Sequence, residues 1–203
     1  MMTVAPDGRS LVGDVVRLDR MRSEDIDELY AAIANEQVYA GGFGGGPEAM
    51  PRSAEEMRAK WIPAAAKRFA YVVRLVDDSS LGAAGTVVGT SSLADVDLVN
   101  ERAHLGFTGY APAVWGTAVN PAAKLLLLEH AFEVCGFGRV KIQTGTKNTR
   151  SQAAIAKLGA TREGVLRRHQ RLADGSFRDT VVFSILADEW PEVRKRLEAR
   201  ISR

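Results

Sequence analysis

The chain has 203 residues, of which 46% are hydrophobic and 26% charged, and its formal net charge is +2. These proportions are ordinary for a folded globular protein and argue against intrinsic disorder. Lysine and arginine are spread along the chain, so no basic block predicts nucleic-acid binding. The longest apolar run, Leu125–Leu128, is far too short to cross a bilayer, so we expect no membrane segment.

Cysteine usage and length predict a single domain in a reducing compartment. Cys135 is the only cysteine, so no internal disulfide can form, and the N-terminus lacks a signal-peptide pattern. We therefore expect a cytoplasmic protein. One domain spanning 1–203 fits the length, with 1–14 as a flexible N-terminal extension.

The first third of the chain predicts one strand and two helices. Val15–Leu18 is typical of a short strand, and Ser23 followed by acidic residues caps a helix running to about Asn35. The segment 41–51 holds five glycines and two prolines, which predicts an exposed, mobile loop. Ser53 then caps a second helix, expected to carry Met57, Trp61 and Phe69.

The remainder alternates strands and helices without an internal repeat. Predicted strands are 71–76, 86–98, 103–110, 140–144, 163–171 and 180–186; predicted helices are 121–135, 151–158 and one beginning near Pro191. Asp174-Gly175 marks the turn of a hairpin between the last two strands. This order predicts a mixed α/β sheet rather than a regular βαβ repeat.

Two helix starts combine into a predicted anion site. The turn Trp115–Asn120 contains Gly116 and opens one helix, and Asn148–Ser151 opens another after one intervening strand. The first turn of a helix has unpaired backbone N–H groups and partial positive charge, which suit phosphate oxygens. The pair therefore favours a long phosphorylated ligand.

Four motifs carry a resemblance to a known family. They are Trp115-Gly116-Thr117-Ala118 before a helix; Asn148-x-x-Ser151 followed by Lys157-Leu158-Gly159-Ala160; Glu163-Gly164-x-Leu166-Arg167; and Asp174-Gly175-x-x-Arg178-Asp179 ahead of Glu189-Trp190-Pro191. In this order the chain, from about Val15 to its end, resembles the GCN5-related N-acetyltransferase (GNAT) superfamily. Within it, the chain resembles the branch of RimJ/RimL-like ribosomal-protein N-terminal acetyltransferases.

The resemblance implies a fold and a donor substrate. The fold would be a central twisted, mostly antiparallel mixed sheet, flanked by helices, with two splayed parallel strands between which acetyl-CoA lies. By position these are the strand ending near Tyr110 and the strand 140–144. The implied acetyl-CoA contacts are Thr108, Gly109 and Tyr110 for the pantetheine amides; Trp115, Gly116, Thr117, Ala118, Val119 and Asn120 around the pyrophosphate; Asn148 on the pantetheine arm; Ser151 near the thioester sulfur; and Lys157 for a phosphate.

Other interpretations of these residues stay open. The Gly116 turn could be an ordinary strand-to-helix connection, Asn148 a simple N-cap, and Ser151 a solvated first-turn serine. For Trp115, a role as a packing anchor is favoured over contact with the ligand. Glu163 could be a base, but pairing with Arg167 or Arg168 is favoured. The hairpin reads Arg168-His169-Gln170, where related enzymes have an acid, so the general base is not identified. No His or Cys spacing predicts a metal site.

The implied reaction is direct transfer of an acetyl group from acetyl-CoA to a primary amine. A backbone N–H near Tyr110 would polarise the carbonyl, and Ser151 would protonate the leaving thiolate. The acceptor would be a peptide N-terminus or a small-molecule amine; a homodimer is plausible, and nucleic-acid and membrane partners are not expected. The alternative is a non-catalytic acyl-CoA-binding module with the same fold.

Overall fold

A computed structural model describes residues 2–202 as one eight-stranded mixed sheet with helices on both faces. The strands are β1 (Leu11–Val12), β2 (Val16–Arg20), β3 (Phe69–Leu75), β4 (Val87–Asp97), β5 (Arg102–Tyr110), β6 (Arg139–Gly145), β7 (Thr161–Arg171) and β8 (Phe177–Leu186). The helices are α1 (Ile26–Ile33), α2 (Glu36–Ala40), α3 (Ala54–Ala65), α4 (Val119–Glu129), α5 (Thr149–Ala156) and α6 (Trp190–Ile201). This architecture confirms the fold class predicted from the sequence.

The strand order in the sheet is β1-β2-β3-β4-β5-β6-β8-β7. Every neighbouring pair is antiparallel except β5 and β6, which are parallel. The parallel pair forms only three register positions, from Arg102 opposite Arg139 to His104 opposite Lys141. Beyond that point the two strands are not paired, and a wedge opens between them.

Two apolar clusters cover the two faces of the sheet. The larger lies on the face covered by α4, α5 and α6, here called the α4 face, and contains Leu105, Leu127 and Phe183. The smaller lies on the face covered by α1 and α3, here called the α1 face, and contains Leu29 and Val72. Because side chains alternate along a strand, successive residues of β5, β6 and β8 face opposite sides of the sheet.

Local signals explain most helix boundaries. Ser53 accepts a hydrogen bond from the backbone N–H of Glu56 at the start of α3, and Asn148 accepts one from Ser151 at the start of α5. Gly136 and Gly159, both with positive φ, follow the helical segments ending at 134 and 156. A π-helical turn, His130–Val134, extends α4.

Three features differ from the sequence-based expectation. Phe69 is not on the second helix: α3 ends at Ala65, and Phe69 begins β3, where pairing with β4 outweighs helix continuation. The short helix α2 was not predicted, although Asn35 caps it. The sheet begins at Leu11, inside the range 1–14 treated as an extension, and the Val4 N–H donates to the Cys135 carbonyl.

Within residues 2–202 no helix is both long and apolar enough to span a membrane.

Candidate active site

The wedge between β5 and β6 opens into a cleft of about 770 Å³. Its walls come from α2 and the loop after it, α3, β4, β5, β6, the starts of α4 and α5, and the β7–β8 hairpin. The predicted residues that line it are Thr108, Gly109, Tyr110, Trp115, Gly116, Asn120, Asn148 and Ser151. Thr117, Ala118, Val119 and Lys157 are not among its lining residues.

A bulge in β5 decides which side chains face each half of the cleft. Pairing with β4 is interrupted between Gly106 and Gly109, and Phe107 has a left-handed φ of 52°. Leu105 lies in the core of the α4 face, and after the bulge Tyr110 lies there again. The extra residue turns the Thr108 hydroxyl toward α4, while the Phe107 ring stays beside His104 on the α1 face.

Lys124 lines the cleft, although no role was assigned to it from the sequence. Its ammonium nitrogen lies 2.8 Å from the Thr108 hydroxyl oxygen and 3.3 Å from that of Ser91. The residue is 6% exposed, and burial lowers its pKa to about 7. A usable signal was present, because Lys124, Leu127, Leu128 and Ala131 share one inward helical stripe. Lys157, the lysine that was predicted, is exposed instead.

The start of α4 combines open space with unpaired backbone N–H groups. Gly116 has a φ of 79°, and a β-carbon built there would meet no atom within 4 Å. The N–H groups of Thr117 and Val119 already donate to the Val114 carbonyl and the Thr117 hydroxyl. For a ligand, this leaves the N–H groups of Gly116, Ala118 and Asn120, a narrower set than the sequence suggested.

Trp115 joins the two helix starts. Its indole N–H donates to the Tyr110 carbonyl at 3.0 Å, and the Arg150 guanidinium stacks 3.8 Å from the centroid of its ring. The Tyr110 phenol itself is buried in the core, where desolvation raises its pKa. Tyr110 can therefore contribute to the cleft through its backbone and not through its hydroxyl.

Asn148 has two structural partners at the start of α5. Its side-chain oxygen accepts the Ser151 N–H at 2.9 Å, so the N-cap interpretation holds for that atom. Its side-chain nitrogen donates to the Gly41 carbonyl, which ties α5 to the segment 41–51, here called the glycine-rich loop. Ser151 lines the cleft and is partly exposed.

Two aromatic side chains line the half of the cleft that lies on the α1 face. Phe43, in a 3₁₀ turn of the glycine-rich loop, contacts Trp61 with ring centroids 5.8 Å apart. A β-carbon built on Gly109 would lie 2.9 Å from the Phe43 ring, so only glycine lets the loop pack this closely. The loop expected to be mobile thus contacts the cleft through Phe43.

Charged groups on this side are mostly cationic. The guanidiniums of Arg68 and Arg178 line the cleft, and desolvation lowers the pKa of both. Among the described residues 2–202, Asp95 is the one carboxylate residue that lines the cleft. It pairs with Lys141 at 3.1 Å and lies 3.4 Å from His104 Nδ1.

The β7–β8 hairpin contributes polar groups but no carboxylate to the cleft. His169 lines it and lies 3.1 Å from the Thr180 hydroxyl through Nδ1. Glu163 pairs with Arg139 at 2.8 Å and with the Ser184 hydroxyl. Its favoured structural role therefore stands, but the predicted partners Arg167 and Arg168 were wrong, because Arg139 on β6 lies across the sheet from it. No cluster of His, Cys, Asp and Glu in the described range could hold a metal ion.

Known proteins share this architecture. A solved GCN5-related N-acetyltransferase from Brucella melitensis superposes with a TM-score of 0.85 at 26% identity, over 97% of this chain and 87% of that one. Mycobacterium smegmatis RimJ in complex with CoA-disulfide superposes with a TM-score of 0.73 at 22% identity, over 94% of this chain and 92% of that one. At that identity RimJ shows the shared fold alone.

Sequence comparison leads to the family. YdaF of Bacillus subtilis (strain 168), provisionally named a ribosomal N-acetyltransferase, is 30% identical over 140 residues, which are 69% of this chain and 74% of YdaF. The profile described as Acetyltransferase (GNAT) domain matches residues 16–161. That match runs from β2 through α5 and includes both splayed strands and both helix starts at the cleft. The chain therefore belongs to the GNAT family of acetyltransferases.

Proposed function

We propose that this acetyltransferase takes acetyl-CoA as its donor and transfers the acetyl group directly to a primary amine. The observation that carries the proposal is the wedge between β5 and β6, with the starts of α4 and α5 at its mouth. RimJ, which shares this fold, was solved in complex with CoA-disulfide. The family assignment makes the chain an enzyme, so the non-catalytic binding module is set aside.

The residues present fit the donor. Residues 105–110 of β5 have no pairing with β6, so their backbone groups on that edge can bind pantetheine amides as a neighbouring strand would. The open space at Gly116 lets phosphate oxygens approach the N–H groups of Gly116, Ala118 and Asn120. Arg150, stacked on Trp115, adds a positive charge beside them.

The reaction needs a polarised carbonyl and a proton for the leaving sulfur. The interruption of β4–β5 pairing at Phe107 offers backbone N–H groups for the carbonyl oxygen. The Ser151 hydroxyl, at the start of α5, donates the proton to sulfur. Both roles are part of the proposal.

We infer that the acceptor is an α-amine of a peptide rather than a lysine side chain. An α-amino group has an ordinary pKa of about 7.7–8.0, against about 10.4 for lysine, so far more of it is unprotonated near neutral pH. The rings of Phe43 and Trp61 offer an apolar surface against which the first residues of the peptide can pack.

The test is release of free CoA thiol from acetyl-CoA in the presence of peptides with N-terminal Ser, Ala or Met, of spermidine and of kanamycin. We expect turnover with at least one peptide and its N-terminal acetylation by mass spectrometry. Turnover with spermidine or kanamycin alone would overturn the peptide assignment. No turnover with any amine, despite acetyl-CoA binding by calorimetry, would overturn acetyl transfer to these amine classes.

A further inference from the structure

His104 is a buried imidazole at the point where the parallel strands part. It is the last residue of β5 that pairs with β6, and it is 4% exposed. Its neighbours Ala103 and Leu105 lie in the core of the α4 face, so His104 faces the opposite side, that of α1. It therefore lines the half of the cleft that contains Phe43 and Trp61.

One imidazole nitrogen lies close to a carboxylate. His104 Nδ1 lies 3.4 Å from Asp95 Oδ2. On an unbroken strand Asp95 would face the core, because Leu93 does, but Asp95 has a left-handed φ of 48° at a break in β4–β5 register. The bulge turns its carboxylate to His104, where Lys141 also holds it at 3.1 Å. A backbone irregularity that costs stability is thus used to place this carboxylate.

The other imidazole nitrogen, Nε2, lies close to Gly106. Within residues 2–202, no hydrogen-bonding group reaches the buried His104 Nε2. A β-carbon built on Gly106 would lie 2.5 Å from it, so glycine at this position leaves the space that Nε2 occupies. An unpaired buried polar atom is costly, and one beside a substrate cleft calls for a partner that arrives with the substrate.

We propose that His104 is the general base that removes the proton from the acceptor amine, and that Asp95 is its positioning residue. This proposal rests on the proposed function. The carboxylate holds the tautomer with the proton on Nδ1, which leaves the Nε2 lone pair for the amine. Catalytic hydrogen bonds are commonly formed only in the substrate complex, which fits the unpaired Nε2 here.

The proton inventory of the step balances. The amine nitrogen lone pair forms the C–N bond to the acetyl carbon, the C–S bond breaks, and its electron pair stays on sulfur. The nitrogen proton moves to His104 Nε2 and then to solvent. The sulfur takes a proton from the Ser151 hydroxyl, which recovers one from solvent. The products are an acetylated amine and free CoA thiol, with no other reactant.

The charges around His104 keep it neutral before the amine arrives. Burial is the largest effect and lowers its pKa to about 4, and the cations of Lys141 and Lys124 act in the same direction. Asp95 opposes them by stabilising the protonated ring. On the α1 face, the Arg68 guanidinium lies over the Phe107 ring, whose centroid is 5.8 Å from that of His104. A neutral imidazole is the form that accepts a proton.

The test compares His104→Gln and His104→Ala with the wild type, using the best peptide acceptor from the thiol-release panel. We expect kcat to fall about 10²- to 10⁴-fold in both variants, while calorimetry shows an unchanged Kd for acetyl-CoA. Added imidazole should restore part of the activity of His104→Ala and none of that of His104→Gln, where the cavity is filled. Asp95→Asn should lower kcat by a smaller factor.

His130→Gln is the matched control, because His130 is a buried imidazole outside the cleft. It should keep wild-type kcat, and no imidazole effect is expected. A His104→Gln variant that folds, binds acetyl-CoA and retains kcat within threefold would overturn the assignment of the base while leaving acetyl transfer intact. A low kcat in His104→Ala that imidazole does not raise would also overturn it, in favour of a structural role. Absence of wild-type turnover would overturn the proposed function instead.

Discussion

The ammonium nitrogen of Lys124 lies 2.8 Å from the hydroxyl oxygen of Thr108 and joins helix α4 to the splayed strand β5. Thr108 faces α4 only because the bulge at Phe107 resets the alternation of the strand. The contact therefore supports the strand at the place where β6 no longer does. In the described part of the chain Lys124 forms no ion pair, so its charge is not compensated.

Lys124→Met should raise the free energy of unfolding near pH 7, and the gain should shrink as the pH rises. The lysine pKa is about 7 in the folded state and 10.5 ordinarily, so the unfolded state binds more protons between these values. Wild-type stability therefore rises with pH across this window, by at most about 1.4 kcal/mol per pH unit. Urea denaturation of both proteins at pH 7 and pH 9.5 measures the gain in free energy of unfolding. The exposed Lys157→Met should change stability by less than about 0.5 kcal/mol at both values, and an equal gain at both pH values for Lys124→Met would contradict the explanation.

Gly116→Ala should weaken acetyl-CoA binding at least tenfold. The backbone φ of 79° is strained for alanine, and the methyl group would enter the open space through which we expect the phosphates to approach. Calorimetric Kd is the measurement, and the melting temperature reports the strain separately. Gly164→Ala, at a position with space for a methyl group and outside the cleft, is the matched control. An unchanged Kd for Gly116→Ala would remove the start of α4 from the phosphate site.

Ser151→Ala should leave the acetyl-CoA Kd within twofold and lower kcat by about 10- to 100-fold, because the leaving sulfur would then take its proton from water. Its backbone N–H, which bonds Asn148, is retained, so α5 should stay capped. Ser176→Ala, on the hairpin turn and outside the cleft, is the control. Wild-type kcat in Ser151→Ala would remove the hydroxyl from the mechanism.

Asn148→Asp and Asn148→Ala separate the two contacts of that side chain. Aspartate keeps the oxygen that caps α5 but loses the N–H group that donates to the Gly41 carbonyl. We expect Asn148→Ala to lose about 1 kcal/mol of stability and Asn148→Asp much less. Both variants should increase amide hydrogen exchange in residues 41–46. If exchange there is unchanged in Asn148→Asp, the side-chain contact does not hold the loop.

Arg178→Gln should raise the KM for the peptide acceptor more than the Kd for acetyl-CoA. Arg178 shares its side of β8 with Thr180, on the α1 face, whereas the predicted donor contacts cluster at the starts of α4 and α5. Steady-state kinetics with the best peptide give the KM, and calorimetry with acetyl-CoA gives the Kd. A larger change in the acetyl-CoA Kd would assign the guanidinium to the donor instead.

The sequence predicted the regular elements well because their signals are local. Ser53, Gly136 and Gly159 mark helix ends, and the spacing of apolar residues identified β5, β6 and α4. The bulges at Asp95 and Phe107 were not predicted, since each depends on how β4 pairs with β5 across the sheet. Lys124 and His104 were undervalued for the same reason: a lysine and a histidine look ordinary until the chain that buries them is in place. Asn148 shows the reverse case, where a local cap was visible but its bond to Gly41, 107 positions earlier, was not.

The bond from Asn148 to Gly41 also has a kinetic meaning. It connects the first turn of α5, on the donor side, to the loop whose Phe43 packs over Gly109 on the acceptor side. We expect a ligand that binds against α5 to order this loop through the Asn148–Gly41 bond, and the loop forms part of the acceptor site. Through this linkage we expect the thioester to bind before the amine, rather than the two substrates to bind in random order. Initial-rate plots would then intersect, and free CoA would compete with acetyl-CoA but not with the peptide.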